Sequence, residues 1–139
     1  MFFTATATIN ASPETVWKVI TDASAYTTFD PGVARFEGTI APGNKLTVYT
    51  KRDPNRAFPS TVTEFIPNQK MTWTGGMPLG LFKGVRTFTL TPKGDNQTEL
   101  TIREDYSGLL SGMITRSIPD LSGDFQNTVQ GVKKHAENM

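Results

Sequence analysis

Along much of this chain apolar and polar residues alternate one by one, and where alternation stops they recur at three- and four-residue steps. Phe3, Ala5, Ala7 and Ile9 alternate with polar residues, which predicts a first strand with a small-residue inner face. A helix follows directly: Ser12 suits its cap, Pro13 its first turn, and Val16, Trp17, Val19 and Ile20 its buried side. Asp22 reads as the cap of a second short helix carrying Ala25, Tyr26 and Phe29, ended by Asp30-Pro31-Gly32. Short alternating runs come next over Val33–Gly38, Lys45–Lys51, Phe58–Phe65 and Lys70–Gly75, then a hairpin from Phe82 to Tyr106. Pro42-Gly43-Asn44, Asp53-Pro54-Asn55 and Pro67-Asn68-Gln69 separate them as turns, giving an antiparallel meander. From Leu110 onward, Ile114, Ile118, Leu121, Phe125, Val129, Val132 and Ala136 form one helical stripe, predicting a long closing helix that Pro119 kinks or restarts. Ser117 is positioned to cap the restarted part.

The hairpin carries the chain's most unusual pattern. Phe82, Gly84, Arg86, Phe88 and Leu90 share one face, as do Thr98, Leu100, Ile102, Glu104 and Tyr106 on the returning strand. Pairing Leu90 with Leu100 across the Pro92–Gln97 turn sets Phe88 beside Ile102 and Arg86 beside Glu104. A one-residue slip would solvate that pair, but it would also turn four large apolar residues into water. Arg86 and Glu104 are therefore expected on the core face. Desolvating two charges costs several kcal/mol per ion, roughly, unless they pair well or border a wet cavity. A buried structural bridge and a ligand-facing pair both satisfy this condition.

Composition narrows the rest. The 139 residues suit one domain, and 37% hydrophobic with 19% charged residues is an ordinary globular balance. A formal charge of +1 supplies no broad field for nucleic acid or acidic lipid. The absence of cysteine removes disulfides and thiolate chemistry and fits a reducing compartment. Met1-Phe2-Phe3-Thr4 lacks the basic start and apolar run of a signal peptide, and no stretch is long enough to span a bilayer, so a cytoplasmic location is expected.

Catalytic signals are few. His135, the single histidine, sits beside Lys133 and Lys134 and reads as a solvated helix end. No serine triad or metal-ligand cluster can be assembled, and Gly75, Gly76 and Gly80 lack the downstream residues of a phosphate loop, so no metal or nucleotide cofactor is expected. The run Gly75–Leu81 combines glycines with Met77, Leu79 and Leu81 and reads as a lid, a hairpin loop packed on the helix, or a contact for a homodimer.

Ile9-Asn10-Ala11-Ser12-Pro13-Glu14-Thr15-Val16-Trp17 followed by Asp22, the segment Val62–Pro67 with Met71 and Trp73, and Gln97-Thr98-Glu99-Leu100 leading to Glu104 and Gly108 extend over nearly the whole chain. In these motifs and their order the chain resembles the START and Bet v 1-like (SRPBCC) superfamily, especially its polyketide cyclase/dehydrase-like branch. The resemblance implies an α+β helix-grip fold: a curved antiparallel sheet of about seven strands around a long C-terminal helix, with two short helices after strand one. It also implies a cavity for a lipid, polyketide or other small hydrophobic ligand. With the alternation, Trp73, Arg86, Phe88, Ile102, Glu104, Tyr106, Ile114, Leu121 and Phe125 are expected to line that cavity. Phe29, standing where relatives often carry tryptophan, is expected near its opening, as are Met77 and Leu81 of the lid loop, and Tyr26 is a further ligand-binding candidate. Plain core packing is the alternative for the aliphatic and aromatic members. If the protein is an enzyme, Arg86 with Glu104 or Tyr106 would serve an aldol cyclisation or dehydration. An interaction module without a ligand is the third reading.

Overall fold

A computed structural model describes residues 1–139. The elements run β1 (Phe2–Ile9), α1 (Pro13–Ile20), a 3₁₀ turn (Ala23–Ala25), α2 (Tyr26–Phe29), β2 (Val33–Glu37), β3 (Lys45–Thr50), β4 (Asp53–Ile66), β5 (Lys70–Met77), β6 (Phe82–Pro92), β7 (Thr98–Ser107), α3 (Ser111–Ser117) and α4 (Ser122–Glu137). The strands form one antiparallel sheet in the order β1-β7-β6-β5-β4-β3-β2. This is the helix-grip fold, with the C-terminal helix held against the sheet.

Local chemistry accounts for most boundaries. Ser12 Oγ accepts from the Thr15 amide at 3.2 Å and starts α1, whose Val16, Trp17, Val19 and Ile20 are buried. Asp22 Oδ1 accepts from the Ser24 amide at 3.0 Å, but the turn it caps is 3₁₀ and only then passes into the single turn of α2. On β1 the inner face is Phe3, Ala5, Ala7 and Ile9, all buried, and its alanines leave room for α4. Phe125, Val129, Val132 and Ala136 of α4 join Met71, Phe88, Leu90, Leu100 and Ile102 from the sheet in one apolar core.

Two expectations are corrected. The Asp53-Pro54-Asn55 run is not a turn: Thr50 pairs with Asp53, the chain reverses at Lys51-Arg52, and β4 begins five residues before Phe58. The closing helix restarts at Pro119, one of the two outcomes its position predicts: Ile118 is extended ahead of the proline and ends α3. Ser117 does not cap α4; its hydroxyl donates to the Ile114 carbonyl at 2.7 Å, and Asp120 Oδ1 accepts from the Ser122 amide at 3.0 Å instead.

The far end of α4 is fastened to β1. Glu137 Oε2 accepts from the Asn10 amide and from Lys133 Nζ, both at 2.7 Å, and Lys133 also donates to the Thr8 carbonyl. The Asn10 amide, then Lys133, holds the Glu137 carboxyl below its ordinary value of 4.5. A lowered folded-state value means stability that is present above pH 4.5 and lost as pH falls through the folded value. Glu137→Gln is therefore expected to lower the melting temperature at neutral pH and to make its decline on acidification shallower. A decline as steep as that of the wild type would remove Glu137 from the acid response.

Candidate functional site

Strand register assembles the site. Val62 pairs with Trp73, Trp73 with Arg86, Arg86 with Glu104, and Glu104 with Phe3, so one row crosses five strands on the inner face. The hairpin register is the one its alternation predicts. One step toward the end where β3 turns into β4 and β5 into β6, the row is Ser60, Gly75, Gly84 and Tyr106. Two adjacent glycines leave the sheet bare there. A Cβ on Gly75 would lie 2.4 Å from the Pro59 carbonyl oxygen, so close strand approach requires glycine. The Tyr106 ring passes over Gly84, 3.7 Å from where its Cβ would stand.

The polar part is a chain of three side chains. Arg86 Nη2 lies 3.4 Å from Glu104 Oε2, and that oxygen accepts from the Tyr106 hydroxyl at 2.9 Å. Arg86 also faces the Phe125 ring, its Cζ 4.9 Å from the centroid. The pair is not sealed: 26% of the Arg86 and 20% of the Glu104 side-chain surface is accessible. Burial opposes the Arg86 charge, but the carboxylates of Glu104 and Asp30 and the Glu104 hydrogen bond outweigh it and raise its pKa. Tyr106 is pushed upward by burial first and by Glu104 second, so its hydroxyl stays protonated.

Trp73 stands next to Arg86 and is 4% exposed, with Tyr26, Phe36 and Phe88 rings 4.8–5.8 Å away. Its indole Nε1 is enclosed and has no hydrogen-bond acceptor. A buried donor left without an acceptor costs about 1–3 kcal/mol.

The remaining expected residues fall into three groups. Phe88 and Ile102 form a packed floor one row below the charges, and Phe125 closes the helix side. Tyr26 lies behind Trp73, its buried hydroxyl donating to the Ile20 carbonyl, and Phe29 lies behind Tyr26. Leu121 packs half-buried on the core, Ile114 and Leu81 are half-buried, and Met77 is exposed at the end of β5. Two surface grooves, of about 520 Å³ beside Thr28 and His135 and about 470 Å³ along Gly75–Pro78, include neither Arg86 nor Glu104.

The sequence pattern did not assign Phe3, Phe82 and Asp30 to the site. Phe3 meets Tyr106 edge-on at 6.1 Å and Phe82 stacks on it at 5.9 Å; both share the alternation parity that marked Arg86. Asp30 is buried and accepts from the Thr128 hydroxyl at 2.8 Å. Within Asp30-Pro31-Gly32 it looks like turn punctuation, and no local signal distinguishes it.

Residues 2–137 match the family model described as "Polyketide cyclase / dehydrase and lipid transport". The chain belongs to this family. No curated protein matches it at a significant level. Among solved structures, a hypothetical protein from Helicobacter pylori superposes with a TM-score of 0.79 at 12% identity, covering 98% of this chain and 88% of that one. Norcoclaurine synthase from Thalictrum flavum gives 0.74 at 14% identity over 100% and 94%. The Zhui aromatase/cyclase from Streptomyces sp. R1128 gives 0.75 at 12% identity over 99% and 94%. At these identities the likeness is one of fold, and function rests on this chain's own residues. No helix is long and apolar enough to cross a membrane.

Proposed function

We propose that the protein binds a small hydrophobic molecule between the sheet and α3–α4, gripping an acceptor group on it, such as a carboxylate or ketone, with Arg86. The observation that carries this reading is the unpartnered Nε1 of Trp73, the cross-strand neighbour of Arg86, together with the partly accessible Arg86 guanidinium: both are donors, and neither is fully used by the protein. Phe3, Phe88, Ile102 and Phe125 supply the apolar wall below and beside them. Arg86→Ala should weaken binding of a medium-chain carboxylate such as decanoate in a calorimetric titration below its micelle concentration, while decanol, a weaker acceptor, is affected less. Equal affinity of both probes for wild type and variant would reject Arg86 as the anchor.

A second reading, a cyclase or dehydratase, is favoured by one further feature: Tyr106, Glu104 and Arg86 form a connected proton-bearing chain. An aldol cyclisation needs a base to take an α-proton, a cation for the enolate oxygen and an acid to protonate the accepting carbonyl; dehydration then expels that oxygen as water. Arg86 fits the second role and protonated Tyr106 the third. Glu104 is the weak member, because one of its oxygens already serves both neighbours. On this reading Glu104→Gln abolishes turnover of a poly-ketone substrate with the fold intact. Persistent turnover would remove Glu104 as the base and leave binding as the account.

A further inference from the structure

The open end of the sheet carries a second pattern, independent of the interior. The turns β3–β4 and β5–β6, the exit of β7 and the start of β1 all lie at this end. Most of the exposed large apolar side chains gather there, led by Leu79 at 91%, Leu109 at 83% and Met113 at 68% exposure. They come from three separate stretches: the β5–β6 turn, the β7–α3 link and α3, a helix that buries none of its residues. The Leu109 amide donates to the Gly80 carbonyl at 3.0 Å and the Leu110 amide to the Leu81 carbonyl at 2.7 Å, which joins the turn to the link. Apolar exposure this concentrated marks a contact surface rather than scattered surface residues.

Leu79 sharpens the point. Leu79 and Gly80 have φ of 61° and 70°, and the Leu81 amide donates to the Pro78 carbonyl at 3.3 Å, which defines a turn with both central residues left-handed. Asparagine, aspartate or glycine suits the first of these positions; leucine strains the backbone there and, at 91% exposure, gains little packing to offset it. Fold stability would favour a different residue there, so its apolar side chain is explained by what it meets outside the molecule.

Charge selects the occupant. Lys51, Lys83 and Arg116, together with Arg56 on β4 near the β3–β4 turn, take part in no ion pair. The formal charge of +1 over the whole chain hides this local excess of cations. A two-fold contact with a second copy would bring those cations against one another, whereas a bilayer with anionic headgroups attracts them. Protruding single side chains from separate tips also suit a fluid interface, since a protein partner would need a matching socket for each.

We infer that the open end docks on anionic phospholipid bilayers, with Leu79, Leu109 and Met113 entering the headgroup boundary and Lys51, Arg56, Lys83 and Arg116 meeting lipid phosphates. The inference concerns the outside of the protein and stands whether or not the interior binds a ligand. The test is flotation of the purified protein with vesicles of phosphatidylcholine alone or mixed with phosphatidylserine. The wild type should float with the mixed vesicles and be released by added salt. Leu79→Asn, which relieves the turn, should keep or raise the melting temperature and lower partitioning by roughly tenfold, the equivalent of losing most of one buried leucine. Lys83→Glu with Arg116→Glu should lower it on mixed vesicles only. Failure of the wild type to float, equal partitioning on both vesicle types, or unchanged partitioning of Leu79→Asn would overturn the inference. So would a dimer in solution that Leu79→Asn converts to monomer, since this would assign the surface to a second copy.

Discussion

Gly131→Ala is expected to destabilise the protein by about 2–4 kcal/mol and to lower its melting temperature by roughly 10 °C. In an exposed helix interior the same change gains up to about 1 kcal/mol, so the sign is decided by what the new methyl meets. At Gly131 a Cβ would stand 1.9 Å from the Phe29 carbonyl oxygen, a backbone atom that moves only if α2 moves. Shifting α2 disturbs Tyr26, packed on Trp73, and the Asp30–Thr128 hydrogen bond, so the loss of stability should come with a change at the site. Gly123→Ala is the control on the same helix: nothing lies within 4 Å of its Cβ position, and it should be neutral or mildly stabilising. Calorimetric melting of the two variants checks the pair. Equal effects would mean that α2 and α4 are not in the close contact described here.

Arg86→Ala is the second large effect, and it acts on binding more than on stability. A hydrogen bond to a charged group contributes about 1.5–3 kcal/mol, so affinity for an acceptor-headed probe should fall by roughly ten- to a hundredfold. The stability cost is smaller than for a sealed pair. Removing one partner of a fully buried ion pair costs about 3–5 kcal/mol, but Arg86 and Glu104 keep 26% and 20% of their side-chain surface accessible, which reduces the expected cost to about 1–2 kcal/mol. Arg86→Met combined with Glu104→Gln removes both charges at similar volume and should recover most of that stability while leaving binding lost. If the double variant recovers stability and binding together, the pair is a structural bridge and the ligand is held elsewhere.

The features legible in the sequence were those that alternation constrains. The β6–β7 register could be read because any slip would have turned Phe88, Leu90, Leu100 and Ile102 outward, so the Arg86–Glu104 pairing followed from local pattern alone. The Lys51-Arg52 turn could not, because Asp53-Pro54-Asn55 has strong turn chemistry and only pairing of Thr50 with Asp53 across the hairpin overrides it. Pro119 marked the break between α3 and α4, yet what starts α4 is the Asp120 side chain, not Ser117. The orphaned Trp73 N–H, the buried Asp30 and the tight seat of Gly131 depend on contacts between residues far apart in the chain, which no window of sequence contains.

The central claim is that a hydrophobic guest presents an acceptor to donors at the middle of the inner face. With only two tryptophans in the chain, the indole N–H resonances report on it directly: Trp73 adjoins Arg86, while Trp17, on α1, packs against Phe65 of β4. Titration with decanoate is predicted to move the Trp73 indole signal downfield and saturably, to leave Trp17 unmoved, and to have no such effect in Arg86→Ala. Saturable binding with the Trp73 signal unchanged, or no binding at all, would contradict the account.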